Sequence, residues 1–120
     1  MKRLNRKEVA ELIRDFGNYS GWAEKYWNQF NQGNNTEVEQ SFYRSGYVYW
    51  CHMKDEIEVR LAEIGILIHD DLSEKYLAEW DWNEASTKFN RLYHDFREAK
   101  KAYEAEQEQQ EQEESTGAVA

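Results

Sequence analysis

His52 and Glu56 stand four residues apart, so on a helix an imidazole and a carboxylate share one face and offer two ligands to a divalent cation. Two ligands fall short of a site, and the chain supplies no standard completion. None of His52, His69 and His94 has another histidine four residues away, which removes the zinc-protease pair. The positions three before them are Tyr49, Ile66 and Arg91, so the Glu-x-x-His di-iron signature is missing as well. Cys51 adjoins His52, but successive helical side chains point to different sides, and a thiol nucleophile needs its base within hydrogen-bond reach. Cys51 is expected to be a buried, unreactive thiol. His94-Asp95 reads as a solvated polar face, and the six glycines are scattered rather than gathered into a phosphate loop. The expectation is a non-enzymatic protein with no metal and no cofactor.

Binding chemistry is better supplied. The stretch from Asp55 to Glu84 holds ten acids, and the bases within or beside it are Lys54, Arg60 and Lys75, a balance of −7. Asp55, Glu56, Glu63, Asp70, Asp71 and Glu74 are therefore candidate partner-binding residues, on a face that would attract a basic protein and speed association at low salt. The alternative for the same acids is packing beside a basic helix, with rim pairs worth ~0–1 kcal/mol each. Tyr43, Tyr47 and Trp50 are a second set of candidates. Tyr and Trp make up 13 of the 18 aromatics, and rings with a polar tip are enriched at interfaces. Arg44 among them can support stacking of unpaired bases, although the acidic stretch that follows repels phosphate.

The elements that must position these residues are helical. Trp82, Ala85, Phe89, Leu92, Phe96, Ala99 and Tyr103 recur at alternating steps of three and four, a heptad seam that places one apolar stripe on a long helix. Phe89 and Phe96 are expected in the core. Toward the N-terminus, Val9, Leu12, Ile13 and Phe16 share a helical face with Asn5 as cap, and Gly17-Asn18 is expected to break that helix. Ser20 then caps a second segment carrying Trp22, Ala23, Tyr26, Trp27 and Phe30 on one side. After a polar loop at 31–35, Thr36 and Glu39 have the spacing of a capping box. The helix they open runs through Phe42, Trp50, Met53, Ile57, Leu61, Ile64 and Ile68; Gly46–Trp50, rich in β-formers, leaves a short strand open as the alternative. Asp71 and Glu74 form a second capping box before an amphipathic element with Leu72, Tyr76, Leu77 and Trp80. Asp81 or Asn83 marks a joint, and spacing leaves open whether 71–103 is one bent helix or two.

The fold class expected is all-α: a small helical bundle, residues 1–103, with one long C-terminal amphipathic helix and a frayed acidic tail, residues 104–120, as helical extension or disordered segment. The tail carries six glutamates and no base, so the body holds 18 acids and 15 bases and is only mildly acidic. With no apolar stripe the tail has nothing to bury. One cysteine and no proline exclude an internal disulfide and leave the helices uninterrupted. The start, MKRLNRKEVAEL, is basic without an apolar run, and a soluble, cytoplasmic protein is expected.

The function expected from this character is stoichiometric binding of another protein, a basic nucleic-acid-binding one being the candidate, by a monomer or homodimer with no membrane partner. An adaptor or inhibitor fits, such as a phage or plasmid counter-defence protein whose acidic face imitates nucleic acid. The alternative is a homo-oligomeric regulator touching nucleic acid through basic ends, where Lys2, Arg3, Arg6, Lys7, Lys88, Arg91, Lys100 and Lys101 converge if the first and last helices are neighbours.

Overall fold

The computed structural model describes residues 4–119, with side chains given for these except Asp70 and those from 113 onward. Four helices follow one another: α1 (Arg6–Phe30), α2 (Glu37–Glu63), α3 (Asp70–Glu79) and α4 (Trp82–Val119). The described residues contain no strand, and Gly46–Trp50 is helical.

Local chemistry sets most boundaries. Asn5 opens α1, its Oδ1 accepting from Glu8 N–H at 2.8 Å. Thr36 and Glu39 close the expected capping box, with Glu39 N–H on Thr36 Oγ1 at 3.1 Å and Thr36 N–H on Glu39 Oε1 at 2.9 Å. α2 stops earlier than the apolar period implies, because Gly65 adopts φ +85° and the N–H groups of Gly65 and Ile66 turn back to Ala62 O and Leu61 O. Ile66 and Ile68 therefore lie in the connection to α3.

Three further expectations are corrected. Gly17-Asn18 does not break α1, which runs through both residues. A helical glycine costs only ~1 kcal/mol, and the rings of Phe16, Tyr19, Trp22 and Tyr26 that meet neighbouring elements outweigh it. The Asp71–Glu74 box is not formed: α3 begins at Asp70 after His69, and His69 N–H instead reaches the buried Ser73 Oγ at 3.4 Å. The seam of α4 is real but shallower than expected. Ala85 and Leu92 are buried, whereas Phe89 and Phe96 are half-buried, because α4 lies against one helix and leaves a flank open. Residues 71–103 form two helices, jointed at Trp80-Asp81, with Asp81 Oδ1 accepting from Asn83 N–H at 2.8 Å.

α2 is the centre of the bundle and packs against each of the other three. α1 and α4 both run antiparallel to it, as Trp22–Trp50 and Tyr26–Phe42 show on one side and His52–Ala85 and Phe42–Tyr103 on the other. Their own backbones stay apart and meet through rings, Tyr26 edge-on to Phe96 at 5.6 Å. Val59 and Leu61 are the most completely enclosed apolar side chains. α4 runs on past the bundle, which stretches the molecule to 65 Å against 26 and 24 Å across. The first turn of this extension is tied down: Thr36 Oγ1 donates to Glu106 Oε1 at 2.6 Å. Among the described residues, no helix is long and apolar enough to cross a membrane.

Candidate protein-binding surface

The acidic stretch is brought together at one end of the bundle, where α2 finishes, α3 crosses and α4 begins. α3 rests on α2 through Ser73, Tyr76 and Trp80, which recur at three and four residues. Leu72 and Leu77 do not share that face, contrary to the single amphipathic stripe expected; they stand 51% and 42% exposed. Asp71, Glu74 and Glu79 flank them and are exposed as well. Ile13, Leu67 and Trp82 are also exposed. Leucines set among carboxylates, rather than carboxylates alone, are what the spacing failed to show.

The individual acidic candidates have different fates. Glu56 is engaged internally, its Oε1 3.1 Å from His52 Nε2. The same His52 nitrogen lies 3.1 Å from Ala85 O, and the ring stacks at 6.0 Å on Trp80. Burial holds His52 below its ordinary pKa, against the pull of Glu56. His52 and Glu56 thus pair within α2, and the imidazole also reaches α4 at Ala85; among the described residues no group of three potential metal ligands is found. Glu63 is exposed and accepts from Trp82 Nε1 at 2.7 Å, while Arg60 lies 5.2 Å over the same indole. Asp70 opens α3, and its side chain lies outside the described residues.

Asp55 is half-buried, and burial pushes its carboxyl up to about 6, with Glu58 raising it and Lys54 and Lys88 opposing. It lines a cavity of about 240 Å³ between α2, α3 and α4, together with His52, Tyr76, Trp80, Glu79 and Lys88. Trp80 Nε1 is buried and finds no acceptor among the described residues.

The aromatic candidates divide. Tyr43 and Trp50 are one heptad apart and open onto a single cleft of about 550 Å³ between α1, α2 and α4, which Trp22, Tyr26 and Tyr103 also line. Tyr43 is pushed up to about 12 by burial first and then by a hydrogen bond with Tyr103. Tyr47 points elsewhere. Its ring lies 4.9 Å from Trp27, and it hydrogen-bonds Cys51. Cys51 is half-buried rather than enclosed, and burial raises its thiol.

The basic residues do not converge. Arg6 and Lys7 sit at the start of α1, beside the acidic end, whereas Lys88 and Lys101 are separated by roughly 20 Å of helix at 1.5 Å per residue. Lys2 and Arg3 lie outside the described residues. The groove that holds Arg44 and Arg91, about 740 Å³, also contains Asp95 and Glu98, so its charges cancel. Comparison of the chain with protein-family models, with curated proteins and with solved structures finds no match in any of the three.

Proposed function

We propose that this protein acts stoichiometrically, by binding another protein through the acid-and-leucine surface of α3, and that the segment it binds is basic and amphipathic. The observation that carries this reading is the exposure of Leu72 and Leu77 between Asp71, Glu74 and Glu79. Exposed apolar area supplies association energy, and the carboxylates choose the sign of the partner. A second copy of the chain is disfavoured at this surface, because like charges would face one another. Proteins that bind nucleic acid present Lys and Arg clusters of the required sign, which makes them the partner class that supports an inhibitory or adaptor role.

The test is fluorescence anisotropy with two helical peptides of equal leucine content, one lysine-rich and one glutamate-rich. The expected result is binding of the lysine-rich peptide alone, weakening as salt rises, since exposed charges are screened beyond ~8 Å at physiological ionic strength. Equal binding of both peptides, or of neither, overturns the proposal.

A further inference from the structure

The cleft between α1, α2 and α4 differs in charge from the other grooves of the molecule. Trp22, Lys25, Tyr26 and Gln29 stand at the i, i+3, i+4 and i+7 positions of α1, so one helical face supplies two rings, an ammonium and an amide. Tyr43 and Trp50 of α2 and Tyr103 of α4 line the same space, and no lining residue is acidic. The grooves that contain Arg44, Arg60 and Lys88 each hold at least one carboxylate as well. In a chain of formal net charge −9, a cleft with a cation and no acid selects for an anion.

The donors of this cleft are unengaged. Among the described residues Lys25 has no carboxylate within 4 Å, and the Gln29 side chain makes no hydrogen bond. Lys25 and Gln29 are one turn apart, so ammonium and amide can donate to a single acceptor group. Glu39, the acid that bears on Tyr43, has an oxygen occupied by Thr36 N–H. The rings are accessible as well. Trp22 stands 43% exposed and meets Trp50 at 4.7 Å and 57°. Two indoles at that angle form a corner, in which a flat ligand lies against one ring and turns its edge to the other.

We propose that this cleft binds a small planar aromatic carboxylate, its rings in the Trp22–Trp50 corner and its carboxylate on Lys25 and Gln29. The volume, about 550 Å³, lies within the ~300–1,000 Å³ of small-molecule sites, which combine aromatic walls with a few polar groups. One lysine matches one negative charge, whereas a phosphate dianion is better served by the arginine forks that this cleft lacks. No α3 residue lines the cleft, so the inference goes beyond the α3 reading and is independent of it.

The experiment is a titration of the full ¹⁵N-labelled chain with 2-naphthoate at low salt, following the indole N–H signals of Trp22 and Trp50, assigned by Trp22→Phe and Trp50→Phe. 2-Naphthamide, uncharged and of the same shape, is the control, and 2-naphthyl phosphate is the dianionic arm. Naphthoate should displace both signals saturably and leave those of Trp80 and Trp82 in place. Naphthamide should bind roughly two- to fivefold more weakly, the range expected for one exposed ion pair. Lys25→Gln, at an exposed position, should bring naphthoate down to the level of naphthamide and leave naphthamide unaffected. Trp22→Leu should weaken both by roughly two- to tenfold through loss of ring contact. Equal binding of naphthoate and naphthamide, indifference to Lys25→Gln, or unmoved Trp22 and Trp50 signals overturns the proposal. Displacement of all the indole signals together also overturns it, as general adsorption to exposed rings. Tighter binding of the naphthyl phosphate overturns the carboxylate assignment in favour of phosphate.

Discussion

Tyr26 lies so close over Gly46 that a Cβ built on the glycine would stand 2.6 Å from the ring atoms Cδ1 and Cε1 and 2.9 Å from Cγ. Glycine at this point of α2 lets α1 approach and fixes the ring that is edge-on to both Phe42 and Phe96. Cγ is bonded to the Tyr26 Cβ, so the ring cannot swing clear as the end of a long chain does. Gly46→Ala should therefore destabilise the protein by about 1–3 kcal/mol through overpacking, despite the better helix propensity of alanine. A urea midpoint equal to or above that of the wild type would refute the close approach.

The opposite sign is expected at Gly17 and Gly21. Both lie within α1, and nothing comes within 4 Å of a Cβ added at either. Alanine there removes the entropy cost of a helical glycine without a clash, so each substitution should stabilise by roughly 0.5–1 kcal/mol. The two lie one turn apart on the same face of α1, close enough to couple, so the double variant is compared with the sum of the singles. Thermal melts of the single and double variants check this.

Those glycines also show what was legible in the sequence. Helix N-termini that depend on one side chain and its own backbone, Asn5 and Thr36–Glu39, are readable because both partners lie within four residues. The seam of α4 is readable because a period needs no knowledge of the partner helix. Gly17 misleads because local propensity is outvoted by rings several residues away. Phe89 and Phe96 look like core because periodicity reports a face and says nothing of how much of that face a neighbour covers. Tyr43 and Trp50 share a cleft through heptad spacing, whereas Tyr47 is adjacent in sequence and turned to Trp27. The burial of Glu58 and the exposure of Leu72 and Leu77 are tertiary facts. They follow from how a ten-residue helix is laid on α2, and no local pattern encodes that.

Asp55 gives a pH signature. Its folded pKa, about 6, lies above the ordinary 3.8, so the folded state holds this proton more tightly than the unfolded chain. The cost of the ionised form is fully present above about pH 6 and fades as pH falls toward 4. His52, held below 6.5, acts in the opposite sense and withdraws stability as pH falls through 6.5. Asp55→Asn removes the first effect alone. The variant should gain on the order of 1–3 kcal/mol over wild type near pH 8 and little near pH 4. Urea midpoints at the two pH values test this, and an equal difference at both would contradict the assignment.

The tail divides at the Thr36–Glu106 contact. Deleting residues 107–120 removes a stretch without an apolar stripe and should leave the thermal midpoint nearly unchanged. Deleting from 104 also removes the acceptor of the Thr36 hydroxyl and should lower it. The net value of one hydrogen bond to a charged group is ~1.5–3 kcal/mol, and partial exposure places this one toward the low end. A drop of several degrees on the shorter deletion would mean that the segment beyond Glu106 is docked.

The binding surface is tested by reversing charge without touching the core. Asp71, Glu74 and Glu79 are exposed and make no ion pair among the described residues, so Asp71→Lys, Glu74→Lys and Glu79→Lys together should leave helicity intact. Three reversals change the local charge by six, which is large against a formal net of −9 for the whole chain. Association with the lysine-rich peptide should slow by about tenfold or more at low salt, and the difference should shrink as salt rises. Dissociation should change less, because Leu72 and Leu77 still supply the apolar contact. Leu72→Ser with Leu77→Ser should do the reverse, leaving the on-rate nearly as it was and raising the off-rate. Circular dichroism on each variant separates lost binding from lost structure. Normal helicity with unchanged rates in both variants would retire the α3 surface and move attention to the cleft of Trp22, Tyr43 and Trp50.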